Sequence, residues 1–259
     1  MRSFFISLSR SFAIALSFLT IIPGGRNLKI TGETLSRSTS FFPVVGCLLG
    51  FTAVSTAMLF KHLTGAHADF TACILLFTEV LLTGGLHVDA VGDFCDAFFC
   101  TCDRQKRLEI LKDSRLGTFG VVGILFSVGV KFLLIRHIAD SDTLLPVVYS
   151  FVLSRWAMVL LMHFSSSARK DGESGLADEF LDKITGLQLA EASVITLGIG
   201  FAFMNWSVFP LVLAAVMITF AVRTFSNYMI LGITGDVIGT LNELVSLTAL
   251  GWILAVCPT

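Results

Sequence analysis

The chain has 259 residues, of which 54% are hydrophobic and only 14% are charged, and its formal net charge at pH 7 is −1. A mean hydropathy of +0.84 excludes an ordinary soluble domain. The near-zero net charge also argues against a nucleic-acid partner, which would need a clustered basic surface. The composition therefore predicts an integral membrane protein.

The first apolar segment, residues 4–22, contains Arg10 and several serines and lacks a convincing signal-peptide cleavage site. We expect it to be retained as an interfacial or re-entrant segment. A full crossing would place Arg26, Lys29 and Arg37 on the side opposite to the very basic residues 104–115. That arrangement conflicts with the tendency of Lys and Arg to collect on the cytoplasmic side.

Seven later stretches approach the roughly 20 apolar residues that a helix needs to cross the hydrocarbon core. They are residues 40–60, 70–86, 118–138, 143–164, 187–204, 205–222 and 241–257. No internal repeat or soluble domain separates them, so we expect one integral membrane domain over residues 1–259. The predicted fold class is all-α, a polytopic transmembrane bundle with about seven membrane helices.

The basic residues indicate which loops share a side of the membrane. They gather in residues 25–39, 87–117 and 165–186, whereas the opposite face keeps only Lys61 and Arg136. These three loops are therefore predicted to face the cytoplasm from a multi-pass protein of the cell (inner) membrane. The long loop 87–117 has apolar residues at helical spacing, which predicts amphipathic helices at the membrane surface.

The stretch TGGLHVDAVGDFCDAFF, residues 83–99, contains the most informative polar pattern. Asp89, Asp93 and Asp96 follow one another at spacings of four and three residues, which stacks their carboxylates on one helical face. Such a face is unfavourable unless a cation neutralises it, and Mg²⁺ with substrate phosphates is the usual solution. We predict that the three acids are catalytic metal ligands and that His87 completes the site, orients a water or acts as a general base.

Two other interpretations of this stretch stay open at this point. The acids form a solvated helix face in one of them, with His87 at its edge. In the other, His87, Cys95, Cys100 and Cys102 bind zinc, although the C-x4-C-x-C spacing is not a familiar zinc pattern.

A second polar run, RQKRLEILKDSRLGTFG at residues 104–120, ends where a membrane helix begins. Free backbone N–H groups and the helix dipole favour an anion at such a helix start. We therefore predict that substrate phosphate is bound here by Asp113, Ser114, Arg115 and Thr118. The basic residues 104–107 are explained at least as well by membrane anchoring and helix capping.

The third run is LGITGDVIGTLNELV, residues 231–245. Asp236 and Glu243 stand seven residues apart, again on one helical face. Together with Thr234 and Asn242 they are predicted to form a second wall that faces the metal or the substrate. The alternative is that these acids are plain interface residues at the edge of a span.

Ionisable residues also occur within the apolar spans, at Glu79, Lys131 and Arg155. Because a charge inside a bilayer is costly, each is a functional-site hypothesis by default. Arg155 is predicted to reach the acidic site or a phosphate. For Lys131 the alternative is a structural ion pair with Glu79.

At these motifs the sequence resembles the cobalamin synthase family, the adenosylcobinamide-GDP ribazoletransferases. The resemblance runs nearly end to end and keeps one order of motifs. Its segments are SFLTIIP, RSTSFFPVVGCLLG, GGLHVDAVGDFCDAFF, LEILKDSRLGTFGV, LSRWAMVLL, ARKDGESG and TGDVIGTLNEL. Ile21 stands where the family usually has Arg.

This resemblance implies a membrane transferase of the last nucleotide-loop step in cobalamin (vitamin B12) biosynthesis. The family joins adenosylcobinamide-GDP to α-ribazole, or to α-ribazole 5′-phosphate, and releases GMP with the help of Mg²⁺. Under it Asp89, Asp93 and Asp96 hold magnesium, and Ser114 and Arg115 contact phosphate oxygens. A homo-oligomer, or a complex with other enzymes of the same branch, stays open.

Other functions share some of these features. CDP-alcohol phosphotransferases and membrane prenyltransferases also use Asp-rich magnesium sites in helical bundles, but their motif registers are not reproduced here. In a transporter, Glu79, Lys131 and Arg155 would form an ion path. Transporters bind substrate near the bilayer midplane, whereas most acids of this chain are predicted at the cytoplasmic edge.

Overall fold

The computed structural model describes residues 2–24, 31–140, 144–169, 181 and 183–256. Arg26, Lys29 and most of the ARKDGESG segment lie outside these residues. The helices are α1 (Arg2–Leu19), α2 (Gly32–Ser38), α3 (Phe42–Thr64), α4 (Ala68–Thr83), α5 (Leu86–Phe98), α6 (Arg104–Ile110), α7 (Thr118–Ala139), α8 (Val147–His163), α9 (Gly186–Met204), α10 (Val208–Ile230) and α11 (Gly235–Val256). Short 3-10 turns, Thr39–Phe41 and Asn205–Ser207, precede α3 and α10.

The predicted class, a polytopic helical membrane bundle, is confirmed, but the count of seven membrane helices is not. Within the described ranges, four helical stretches are long and apolar enough to cross a membrane: Gly32–Thr64, Thr118–Ala139, Gly186–Ile230 and Gly235–Val256. A fifth is obtained if α4 and α5 count as one bent span. The number of spans is lower than predicted for two reasons. Helices α9 and α10 are continuous through a 3-10 turn and count as one stretch, and α8 has only 17 residues.

The apolar part of α1, Leu8–Leu19, is likewise shorter than the stretches that qualify as spans. This helix packs mainly against α2 and also contacts α3. Its predicted position in the membrane interface stays a prediction.

Helix α8 forms the centre of the bundle. Every residue from Val147 to Met162 is buried, and the helix packs most extensively against α3 and α11. Gly50 of α3 allows this close approach, since a Cβ there would lie 3.0 Å from the Cα of Val148. Small residues commonly let membrane helices pack this tightly. As a result, α8 places Arg155 in the interior of the protein.

The chain bends by 85° between α4 and α5. Gly84 and Gly85 form the bend with φ angles of 64° and 74°, a left-handed conformation that glycine adopts at no steric cost. The segment after α1 docks here, because the Ile21 N–H donates to the Leu82 carbonyl at 2.9 Å. Ile21 therefore contacts the end of α4 and the bend that precedes the Asp-rich helix.

Candidate active site

The Asp-rich stretch forms helix α5, as predicted, and its three acids lie on one face. Asp89 is exposed, while Asp93 and Asp96 are half-buried. The opposite face is apolar and includes the buried side chains of Val91, Phe94 and Phe98. This two-sided character orients the helix, because the apolar face must pack into the bundle while the carboxylates turn outward.

A fourth carboxylate joins this face from helix α11. Asp236 lies close enough to Asp93 and Asp89 for their negative charges to repel one another. Its Oδ2 accepts a hydrogen bond from the hydroxyl of Thr234 at 3.1 Å, and the buried Thr234 thereby fixes the position of Asp236. Farther along, the Thr240 hydroxyl donates to the Ala90 carbonyl at 3.0 Å, which holds α11 against α5. We call Asp89, Asp93, Asp96 and Asp236 the acidic face.

Asp96 differs from the other three acids, because its carboxylate caps helix α7. Its Oδ2 accepts from the Gly117 N–H at 2.7 Å, and its Oδ1 accepts from the Gly120 N–H at 2.8 Å. Both glycines leave room for this contact, since a Cβ at either position would collide with Asp96. At the helix start that was predicted to bind a substrate phosphate, the N–H groups of Gly117 and Gly120 therefore bind the Asp96 carboxylate. The assignment of Asp96 as a metal ligand stays a prediction.

The segment that leads into α7 contains the other predicted phosphate-binding residues. Ser114, Arg115 and Thr118 are exposed. Arg115 donates to both carboxylate oxygens of Asp113, with Nη2 to Oδ2 at 2.6 Å. These hydrogen bonds lower the pKa of Asp113 to about 2. The two residues thus form a local ion pair, and their roles toward a substrate stay predictions.

Two arginines of the basic run bind backbone carbonyls. The Arg107 Nη1 donates to the carbonyls of Ala97 and Phe98, at 2.6 and 3.0 Å, and so caps the end of α5. Arg104 donates to the carbonyl of Ile230 at 2.9 Å and to that of Ala168 at 3.0 Å. Helix capping, one of the two explanations offered for this run, therefore applies to both residues.

Behind the acidic face lies a group of charged side chains in the bundle interior, here called the ionic cluster: Glu79, Lys131, Arg155 and Glu243. The Lys131 ammonium contacts Glu79 at 2.8 Å and Glu243 at 3.0 Å. All four residues are at most 5% exposed. The ion pair of Lys131 with Glu79, which was the alternative to a functional role for Lys131, is present. Arg155 and Glu243, predicted to bind substrate, lie inside the bundle, and that role stays a prediction.

His87 points away from the acidic face. It is 2% exposed, and neither ring nitrogen has a hydrogen-bond partner among the described residues. A residue two positions before Asp89 is rotated by about 200° around an α-helix, since each residue turns the helix by about 100°. The same geometry that exposes the carboxylates therefore buries His87 beside the ionic cluster. Its role as a general base stays a prediction.

The donor set of the acidic face is suited to magnesium, since carboxylate oxygens are hard ligands. In the described part of the chain, no three His, Cys, Asp or Glu side chains are arranged to hold a metal by themselves. Mg²⁺ commonly binds one or two carboxylates and takes its other ligands from water and substrate phosphates. The residues present therefore fit a magnesium ion that binds together with a phosphorylated substrate.

The zinc alternative is not supported. Cys100 and Cys102 are joined by a disulfide. His87 stands in the first turn of α5, whereas these cysteines follow its last residue, Phe98. At about 1.5 Å per residue, the distance along the helix is about 20 Å, far too long for one zinc site.

Arg169 was not predicted as a site residue. Its Nη2 lies 4.0 Å from Asp236 Oδ2. A short parallel bridge positions it, in which Ala168 N–H donates to the Ile233 carbonyl at 2.9 Å. The sequence signal for Arg169 was the ARKDGESG segment. It is one of the segments that resemble the family, but we predicted no function for it.

The cap at α7 predicts different effects for two acids of one helix face. Asp96→Ala should lower the free energy of unfolding by about 1–2 kcal/mol, because two first-turn N–H groups lose their acceptor. Asp89→Ala is the matched control at an exposed position and should change it by less than about 0.5 kcal/mol. Denaturant titration in magnesium-free detergent buffer measures both. Equal losses would contradict the capping role.

The ionic cluster predicts strong coupling between charges. Lys131→Met should cost about 3–5 kcal/mol, because it leaves two buried carboxylates without their cation. Arg136→Met, on the same helix but in an exposed pair with Asp69, should cost at most about 1 kcal/mol. The double variant Lys131→Met/Glu243→Gln restores charge balance and should lose less stability than the sum of its single changes. Additive losses in a double-mutant cycle would refute the coupling.

Comparisons with known proteins show which family the chain resembles. The family model described as cobalamin-5-phosphate synthase matches residues 11–254. The adenosylcobinamide-GDP ribazoletransferase of Syntrophobacter fumaroxidans is 36% identical over 92% of this chain and 96% of its own length. Proteins of the same name from Thermoanaerobacter pseudethanolicus and Clostridium kluyveri are each 32% identical over 93% of this chain, and over 95% and 94% of their own lengths.

No solved structure matches the chain. The matched range nevertheless includes every residue of the acidic face and the ionic cluster. The aligned relatives likewise extend over more than nine-tenths of the sequence. The chain belongs to the cobalamin-5-phosphate synthase family.

Proposed function

We propose that this chain catalyses the last nucleotide-loop step of cobalamin assembly, in which adenosylcobinamide-GDP and α-ribazole, or its 5′-phosphate, give the cobalamin product and GMP. The observation that supports it most is the meeting of Asp89, Asp93 and Asp236 on one face, drawn from two helices. Substrates rich in phosphate need a cation between themselves and such a face. The names of the relatives supply the substrate class.

The reaction exchanges the phosphoanhydride bond of adenosylcobinamide-GDP for a phosphodiester bond. A ribose hydroxyl oxygen of the ribazole, one that is free in both α-ribazole and its 5′-phosphate, attacks the phosphorus attached to cobinamide, and a new P–O bond forms. The P–O bond to GMP breaks, GMP leaves with the electron pair, and the hydroxyl proton passes to a base. Bound Mg²⁺ would neutralise the phosphate oxygens as charge shifts to the leaving group. Asp89, Asp93 and Asp236 are the residues that would hold it, and Arg169 would limit the repulsion between them.

An open cleft beside Asp89, here called the Asp89 cleft, offers room for a substrate. Its volume is about 720 Å³, and its walls include Phe18, Ile21, Gly84, Gly85 and Ile124. Phe18, Ile21 and Ile124 give it an apolar side, and Thr20, Thr83 and Asp89 give it a polar side, a combination that small-molecule sites use. An aromatic nucleoside can therefore pack against the wall while its ribose faces the acidic face.

Loss of the acidic face should abolish turnover. With adenosylcobinamide-GDP, α-ribazole and Mg²⁺ as substrates and metal, Asp93→Asn should lower kcat by about a hundredfold or more. The reason is that the charge that develops on the phosphate oxygens in the transition state is less well stabilised. Glu109→Gln, which removes an exposed carboxylate paired with Lys106, is the matched control and should stay active. GMP and cobalamin are detected with and without Mg²⁺. A folded wild-type protein that forms neither product would reject the function.

We also propose that the acidic face lies on the cytoplasmic side of the cell (inner) membrane. The basic, exposed segment between α5 and α7 supports this orientation. In intact cells, an impermeant thiol reagent should spare Ser114→Cys and label Thr64→Cys, because these exposed positions lie at the start of α7 and the end of α3. Site-resolved mass spectrometry measures both. Labelling of Ser114→Cys alone would reverse the orientation.

A further inference from the structure

A small internal cavity adjoins the ionic cluster. Its polar lining residues are Glu79, Thr83, His87, Lys131 and Glu243. The centres of water molecules can occupy a volume of about 30 Å³ inside it. About 10–15 Å³ of such volume is enough for one water molecule. The cavity is therefore large enough for one or two water molecules and too small for a metabolite.

Polar atoms at this cavity lack partners in the described part of the protein. They are both ring nitrogens of His87 and the second carboxylate oxygen, Oε2, of Glu79. Deeper in the cluster, Arg155 Nε and Nη2 and Asn242 Oδ1 are likewise without partners among the described residues. Buried polar groups are almost always hydrogen-bonded to protein or to ordered water. Several such atoms around one cavity point to a ligand that both donates and accepts.

The charge of the cluster identifies that ligand as neutral. Two carboxylates, Glu79 and Glu243, face two cations, Lys131 and Arg155, so that the formal charges cancel when all four are ionised. An added ion would leave a buried charge uncompensated, which is costly. Water meets both the size and the charge of the site.

We propose that one or two ordered water molecules occupy this cavity and hydrogen-bond to His87 and to Glu79 Oε2. They tie the first turn of α5 to the ionic cluster, and His87 is thereby a positioning residue for the acidic face. The site is internal and binds no substrate, so it goes beyond the proposed function. It also gives the buried imidazole a hydrogen-bond partner that no described side chain supplies.

The position of the cavity provides a route for water. Val80, Thr83 and Val88 line both this cavity and the Asp89 cleft. A single layer of side chains therefore separates the internal water from the open cleft. Exchange with solvent requires only a local movement of that layer, and the bundle itself need not open.

Radiolytic footprinting in ¹⁸O-labelled water tests the proposal without any substrate. X-ray pulses turn bound water into hydroxyl radicals that oxidise the nearest side chains. His87 should be oxidised despite its burial, while Met158, a more reactive side chain that is 2% exposed in α8, should be protected. Protection of His87 to the level of Met158 would overturn the proposal.

Two substitutions of one cavity residue serve as a matched pair. Val128→Leu adds a methylene to the lining and should displace the water, so oxidation of His87 should disappear. Val128→Ala keeps the space and should retain the oxidation. Persistent oxidation in a folded Val128→Leu protein would show that the radicals do not come from this cavity and would overturn the proposal.

The positioning role has its own readout. In the turnover assay, Val128→Leu should lower kcat by about tenfold at unchanged KM, the effect of losing one hydrogen bond that orients the acidic face. Val128→Ala should keep the wild-type kcat. An unchanged kcat in the variant that has lost the water would overturn the positioning role. Because the footprint needs no turnover, failure of the proposed function would appear separately, as an inactive wild type with an oxidised His87.

Discussion

The contact of Lys131 with Glu79 and Glu243 is the interaction on which the arrangement of the bundle depends. Removing charges from water is so costly that they are tolerated in a helical core only when paired in good geometry. The partners come from α4, α7 and α11, and α8 adds Arg155. The ion pairs therefore hold three helices together at one point, and the Asp-rich helix α5 packs against two of them, α7 and α11.

This constraint also explains how α5 presents its acids. Its first turn follows the Gly84–Gly85 bend directly after α4, so the ionic cluster fixes where the helix starts. Arg107 holds its last carbonyls. Between these ends, the Ala90 carbonyl accepts from Thr240 of α11. A helix that is held at both ends and in the middle keeps mutually repelling carboxylates together before any cation arrives, which is electrostatic preorganisation.

Much of this architecture could be predicted from sequence, because local patterns determine it. Hydropathy indicates the helical membrane class, and the spacing of Asp89, Asp93 and Asp96 identifies their common face. The pairing of Lys131 with Glu79 follows from the cost of isolated charges in apolar spans. The number of spans is harder to predict, because hydropathy does not show that α8 is short and central, or that α9 continues into α10.

What spacing cannot reveal is which group lies opposite a side chain. Asp96 has the same register as its neighbours, yet it accepts the N–H groups at the start of α7 because Gly117 and Gly120 admit it. Glu243 shares a helix face with Asp236 but lies deeper, where it meets Lys131. Arg169 reaches the acidic face through a backbone bridge between distant segments. Each of these outcomes depends on tertiary contacts.

The glycines of α7 restrict how the site can be redesigned. A side chain at Gly117 or Gly120 would collide with Asp96, and one at Gly123 would collide with Cys95. These three positions of the seam between α5 and α7 therefore cannot take a side chain. Ile21 instead lines the open Asp89 cleft, where side chains of other sizes can be accommodated. Directed evolution toward other nucleosides should find its tolerated substitutions there.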